Sequence, residues 1–135
     1  MSKGAVILEP REIALLAAEA AADKKAADII VLDVAETLVI TGYFVIATGA
    51  SDRQVKSIAD EIEDQLREKG GVKPIGREGE REGKWVLLDF GDVVAHVFQQ
   101  EEREFYRLEK LWSDAPRVEL PASIAAAPQP EVAGS

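Results

Sequence analysis

The stretch from Trp85 to Trp112, WVLLDFGDVVAHVFQQEEREFYRLEKLW, constrains the fold of this chain more than any other. Trp85 to Phe90 and Val93 to Phe98 are short apolar runs rich in β-branched and aromatic residues, and Gly91-Asp92 separates them. That is the pattern of a β-hairpin with a two-residue turn. From Glu101 the period changes. Phe105, Leu108, Leu111 and Trp112 recur three and four residues apart, with Glu102, Arg103, Arg107 and Lys110 between them. This spacing predicts an amphipathic helix with those four residues as its apolar stripe.

Upstream, Pro10 suits the first turn of a helix, where its missing N–H is harmless, and Ile13, Leu16, Ala17 and Ala20 give that helix a narrow apolar face. Asp28 to Val34 reads as a buried strand, Ala35 to Thr37 as a turn, and Leu38 to Thr48 as a longer strand pairing antiparallel with the first. Ser51 then caps a second helix and Gln54 completes a capping box. Loss of the Ser51 hydroxyl is expected to cost about 1 kcal/mol. This helix buries Val55, Ile58, Ala59, Ile62 and Leu66 and stops at Gly70-Gly71. Between Val72 and Lys84, glycines and alternating charge predict a short extended piece at Lys73 to Ile75 and then a mobile loop. After Pro116 the period dissolves into PASIAAAPQPEVAGS. The expected organisation is one domain over 1–116 and a disordered tail over 117–135. The order of elements predicts an α+β fold, a mixed β-sheet flanked by helices.

Three blocks carry a resemblance to a known family: the hairpin and helix, ITGYFVIATGASDRQVKSIAD from Ile40 to Asp60, and GREG from Gly76 to Gly79. In content, order and spacing they resemble the ribosome silencing factors, also called the Iojap-related proteins, over roughly Glu9 to Pro116. One departure stands at Gly42, where the family usually has an aspartate before the tyrosine. A role carried by a carboxylate there is lost, and the hairpin is expected to be untouched. The resemblance implies a nucleotidyltransferase-like scaffold without the catalytic carboxylates. Asp60, Glu61, Glu63 and Asp64 fall inside the second helix rather than on a strand beside Ser51.

The composition limits the chemistry. Without cysteine there is no disulfide or thiolate chemistry, and a reducing cytoplasm is permitted. A formal charge of −9 argues against a broad phosphate-binding face and suits a basic protein partner. No apolar run reaches the ~20 residues that span a bilayer. Glu9, Glu12 and Glu19 suit neither a secretory nor a transit segment, so the cytoplasm is the expected location.

His96 is the single histidine, without a second histidine or a cysteine to assist it as a base. Asp89 and Asp92 bracket the hairpin turn, and the turn explains them better than a metal does. Gly49-Ala50-Ser51 offers a helix N-terminus to a phosphate, again without paired carboxylates. No catalytic residue, cofactor or metal is expected. In the family, the hairpin and following helix grip a ribosomal protein, and this implies Trp85, Phe90, Asp92, His96 and Tyr106 as partner-binding residues. The resemblance further implies a non-enzymatic translation repressor, acting when nutrients run low. It would bind ribosomal protein fourteen of the large subunit and exclude the small subunit, independently of nucleic acid and membrane. A nucleotide-handling enzyme of the nucleotidyltransferase type and a general homodimeric adaptor are the alternatives.

Overall fold

The structure is a computed structural model that describes residues 8–36 and 41–125. Five strands form one mixed sheet in the order β1-β2-β5-β4-β3: β1 (Ala27–Asp33), β2 (Tyr43–Gly49), β3 (Gly76–Glu78), β4 (Trp85–Asp89) and β5 (Val93–Gln99). β2 and β5 run parallel, and every other neighbouring pair is antiparallel. The expected α+β class and mixed sheet are therefore present. Of the expected second strand, Leu38 to Ile40 lie outside the described residues, and β2 begins at Tyr43.

Helices α1 (Pro10–Asp23) and α2 (Asp52–Gly70) cover one face. Strand side chains alternate between faces, so Val45 and Ala47 of β2, Val86 and Leu88 of β4, and Ala95 and Val97 of β5 meet the helices in the main core. The alanines of α1 (Ala14, Ala17, Ala18, Ala21) let it lie close to the sheet and α2, and all are fully buried. α2 buries the predicted set, Val55, Ile58, Ala59, Ile62 and Leu66, and ends on a left-handed Gly71. Its start differs in one detail. Gln54 N donates to Ser51 Oγ at 3.1 Å, but Gln54 Oε1 accepts from Ala50 N at 2.6 Å rather than from Ser51. The Gln54 amide also donates to the carbonyls of Lys24 and Lys25, tying α2 to the end of α1.

The opposite face carries a second, smaller layer: Leu32, Val34, Phe44, Ile46 and Phe98, with Trp85, Val94, Leu108, Trp112 and Ala115 packed against it. The expected continuous helix after the hairpin is broken here. α3 (Gln100–Tyr106) ends at Arg107, which is left-handed (φ 49°), and α4 (Leu108–Leu111) follows. Only Leu108 and Trp112 of the predicted stripe reach the layer. Phe105 and Leu111 are 79% and 73% exposed. The break is held by Arg103, whose Nη1 donates to Thr48 Oγ1 at 2.6 Å and whose Nε contacts both oxygens of Glu109 at 3.2 Å, joining β2, α3 and α4.

Two further expectations are corrected. The extended piece falls at Gly76–Glu78, not at Lys73 to Ile75, because Arg77 fixes it: the guanidinium pairs with Asp60 and Glu63 of α2 and with Glu80, at 2.7, 2.7 and 2.9 Å. The packed chain also continues past Pro116. Asp33 N donates to Pro116 O and Val118 N to Val31 O, so this segment lines the outer edge of β1. Val118 is buried, and so is Ile124 of the short α5 (Ala122–Ala125). Residues 126–135 of the expected tail lie outside the described residues.

Candidate functional site

The hairpin turn is a two-residue loop, with Phe90 N bonded to Val93 O at 2.9 Å around Gly91 and Asp92. Gly91 takes φ 90° and donates its N–H to Asp89 Oδ1 at 2.8 Å. A side chain at that φ would be strained, which explains the glycine. The Asp92 carbonyl accepts from both Gly42 N and Tyr43 N, so the turn also anchors the start of β2. Gly42 therefore touches the hairpin through its backbone, a contact that does not depend on the side chain at this position. Its Cβ position has room, 3.4 Å from Asp92 O, so a side chain there is not excluded by space.

Alternation along the hairpin decides which expected site residues face the helices and which face outward. Val86, Leu88 and Phe90 point to the helices, and Phe90 is 8% exposed within the main core. Phe90, expected among the partner contacts, is thus packed in the main core. Trp85, Leu87 and Asp89 lie on the other face and are half-buried. There Trp85 sits 4.8 Å from the Phe98 ring and 4.7 Å from the Tyr106 ring, and Tyr106 meets Phe105 edge-on at 5.0 Å. Tyr106 is 47% exposed. Trp85, Tyr106 and Phe105 thus make a contiguous aromatic ridge at the surface. The left-handed turn at Arg107 stops α3 just beyond Tyr106, at the end of this ridge.

His96 lies beneath the ridge, 5% exposed, and contacts the rings of Phe44, Trp85 and Phe98. Trp85 Nε1 donates to its Nδ1 at 3.2 Å. An imidazole nitrogen that accepts carries no hydrogen, so the neutral ring has its proton on Nε2. Burial pushes the imidazole down from its usual 6.5 to about 4. His96 is therefore neutral at pH 7 with its Nδ1 already engaged by the Trp85 indole.

Beside His96 the outer face opens into a groove of about 400 Å³ lined by Phe44, Leu87, Asp89, Val94, His96 and the exposed Ile75, among others. It runs from His96 to Gly91 of the hairpin turn. Asp92 is exposed but stands at the far end of the hairpin, ~20 Å from Trp85 at ~3.4 Å of rise per residue. The fold therefore brings Trp85, His96 and Tyr106 together, places Asp92 apart and buries Phe90. Sequence reasoning missed Ile75 and Phe105 as surface residues, whereas strand alternation already placed Leu87 on the face of Trp85.

The GREG block has a structural role. Arg77 clamps β3 to α2, and Gly79 takes φ 84° where a Cβ would collide with the Trp85 carbonyl. The loop therefore lies directly against the strand that presents Trp85.

A second cavity, about 420 Å³, opens at Thr48, Gly49 and Ala50, where a nucleotidyltransferase-like reading would put its substrate. Several polar groups in and beside it are engaged. Thr48 Oγ1 accepts from Arg103, the Gln54 amide is bonded to Lys24 and Lys25, and Ser51 Oγ caps α2. Glu104 is the one carboxylate lining it, so paired metal-binding carboxylates are missing from this cavity. Among the described residues, no group of three or more His, Cys, Asp or Glu is placed to hold a metal, and no helix is long and apolar enough to cross a membrane.

Comparison with known proteins agrees with this anatomy. The family model described as "Ribosomal silencing factor during starvation" matches residues 8–134. The chain is 47% identical over 113 residues to the ribosomal silencing factor of Bacillus subtilis, covering 84% of this chain and 95% of that protein. It is 39% identical over 104 residues to the chloroplastic protein Iojap of Zea mays, covering 77% of this chain and 45% of that longer protein. A crystal structure of a Chromobacterium violaceum protein superposes with a TM-score of 0.76 at 43% identity, covering 78% of this chain and 88% of the other. Fold, motif blocks and relatives agree: the chain belongs to the ribosomal silencing factor family.

Proposed function

We propose that this protein silences translation by docking the outer face of its β4–β5 hairpin on the large ribosomal subunit, at ribosomal protein fourteen, so that the small subunit cannot join. The observation that carries this reading is the aromatic ridge of Trp85, Tyr106 and Phe105, which lies at the surface next to an open groove. Rigid aromatic side chains beside a desolvated pocket are the usual anchors of a protein interface. An interface of ordinary size, ~1,200–2,000 Å² in total, fits a domain of this size. The formal charge of −9 disfavours phosphate backbone as the main contact and favours a basic protein surface. The mechanism is steric exclusion, which needs no catalytic residue, cofactor or metal, and a protein working this way would act beside the ribosome in the cytoplasm. The names of the relatives, which speak of ribosomal silencing, support the same reading.

The test is co-sedimentation with separated ribosomal subunits, followed by a subunit-joining assay. Wild type should sediment with the large subunit and suppress joining. Tyr106→Glu places a charge on the ridge from a half-exposed position, so it should stay folded and lose binding by ~30-fold or more if Tyr106 lies at the interface centre. Full binding by folded Tyr106→Glu would remove the ridge from the interface.

A further inference from the structure

Trp85 is half-buried on a strand, and most of what holds it is ring packing against Phe98 and Tyr106. Such contacts fix the plane of an indole loosely, since tilted and offset arrangements differ little in energy. The hydrogen bond from Nε1 to His96 Nδ1 is directional. The acceptor is itself immobile: His96 is in the middle of β5, opposite Leu87 of β4, edge-on to Phe44 and stacked on Phe98. At 5% exposure it has almost no surface to offer a partner. We propose that His96 is a positioning residue of the docking face: through Nδ1 it holds the Trp85 indole against Tyr106 in the orientation that a partner grips. The proposal rests on the docking reading given above. Burial supports it by keeping the imidazole neutral, so the Nδ1 lone pair stays available to the indole at physiological pH.

The experiment uses the full chain with His96→Phe, which keeps a ring but has no acceptor, and His96→Gln, whose amide oxygen can accept from the indole. Each is made in the wild-type and the Trp85→Phe background. Two quantities are read: affinity for isolated large subunits, and the ¹⁵N–¹H resonance of the Trp85 indole, identified as the one missing from Trp85→Phe. His96→Phe should shift that resonance, speed its hydrogen exchange and weaken binding roughly three- to tenfold, the worth of one neutral hydrogen bond. His96→Gln should recover part of both. In the Trp85→Phe background the two variants should bind alike, because the donor is gone.

Tight wild-type binding that His96→Phe leaves unchanged overturns the proposal alone, and so does a His96→Phe loss that persists undiminished in the Trp85→Phe background. Failure of the wild-type chain to bind the large subunit overturns the docking reading and this proposal with it. Should His96→Phe fail to fold, Trp85→Phe removes the same hydrogen bond from the donor side and must by itself weaken binding.

Discussion

Arg103→Met tests how the ridge is built. The guanidinium is 4% exposed and its partner Glu109 is 26% exposed. Breaking a fully buried ion pair costs ~3–5 kcal/mol, because the remaining charge is left without solvent. Here Glu109 can turn toward water, which reduces that cost. A charged hydrogen bond is worth ~1.5–3 kcal/mol, and the one to Thr48, itself 3% exposed, has no solvent to replace it. The expected loss is about 2–3 kcal/mol. Urea unfolding followed by far-ultraviolet circular dichroism reads it. At a slope of ~1.5 kcal/mol per molar, the midpoint should fall by ~1.5–2 M. The double variant Arg103→Met/Glu109→Leu should recover only the part due to the stranded Glu109 charge, because the buried Thr48 hydroxyl still lacks its donor. A single Arg103→Met within ~0.5 kcal/mol of wild type would refute the reasoning, since it would mean that the Arg103 bridge contributes nothing net to the packing of α3 and α4.

Stability should fall in acid through His96. Its folded value of about 4 lies below the unfolded 6.5. Above pH 6.5 both states are neutral and nothing changes. Between pH 6.5 and 4 the unfolded chain takes a proton that the folded one refuses, so stability is lost as pH falls, by about 3 kcal/mol in all. Comparing stability against pH for wild type and His96→Phe isolates this dependence from that of the carboxylates, and parallel curves would refute it. Gly79→Ala should destabilise by about 2 kcal/mol or more, since the backbone is left-handed and the methyl would overlap the Trp85 carbonyl. Thermal unfolding measures it, and an unchanged midpoint would count against the described loop.

What the sequence disclosed and what it hid have physical causes. α2 was legible because cap, period and terminal glycine all agree within one segment, and the hairpin because Gly91 is required by its own turn. The break after Tyr106 was not, since a left-handed arginine has no local signature and is held by Arg103 reaching Thr48, 55 residues away in sequence. β3 was misplaced by a few residues because Arg77 finds its carboxylates 14 and 17 residues upstream. The burial of Phe90 was not legible, because alternation divides a strand into two faces without saying which one the helices cover. Trp85 and Tyr106 could be named from the family blocks, but the groove beside them depends on Ile75 and Phe44, which come from strands and loops far apart in sequence. The segment after Pro116 looked structureless because Val118 and Ile124 are single apolar residues whose burial depends on β1 and α1, not on any local period.

The segment that lines β1 has a consequence for the order of assembly. β1 is synthesised early, while the residues that occupy its outer edge, 116–118, follow more than 80 positions later. Central pairing of β2 with β5 likewise waits for a strand about 50 residues downstream. Such separations slow folding, because long loops must close before the contacts that reward them form. Until Val118 arrives, a nascent chain carries β1 with unpaired backbone groups along one side, a template for pairing with a neighbouring copy. Completion of the C-terminal segment is therefore the step at which a newly made molecule covers residues 31–33 of that edge.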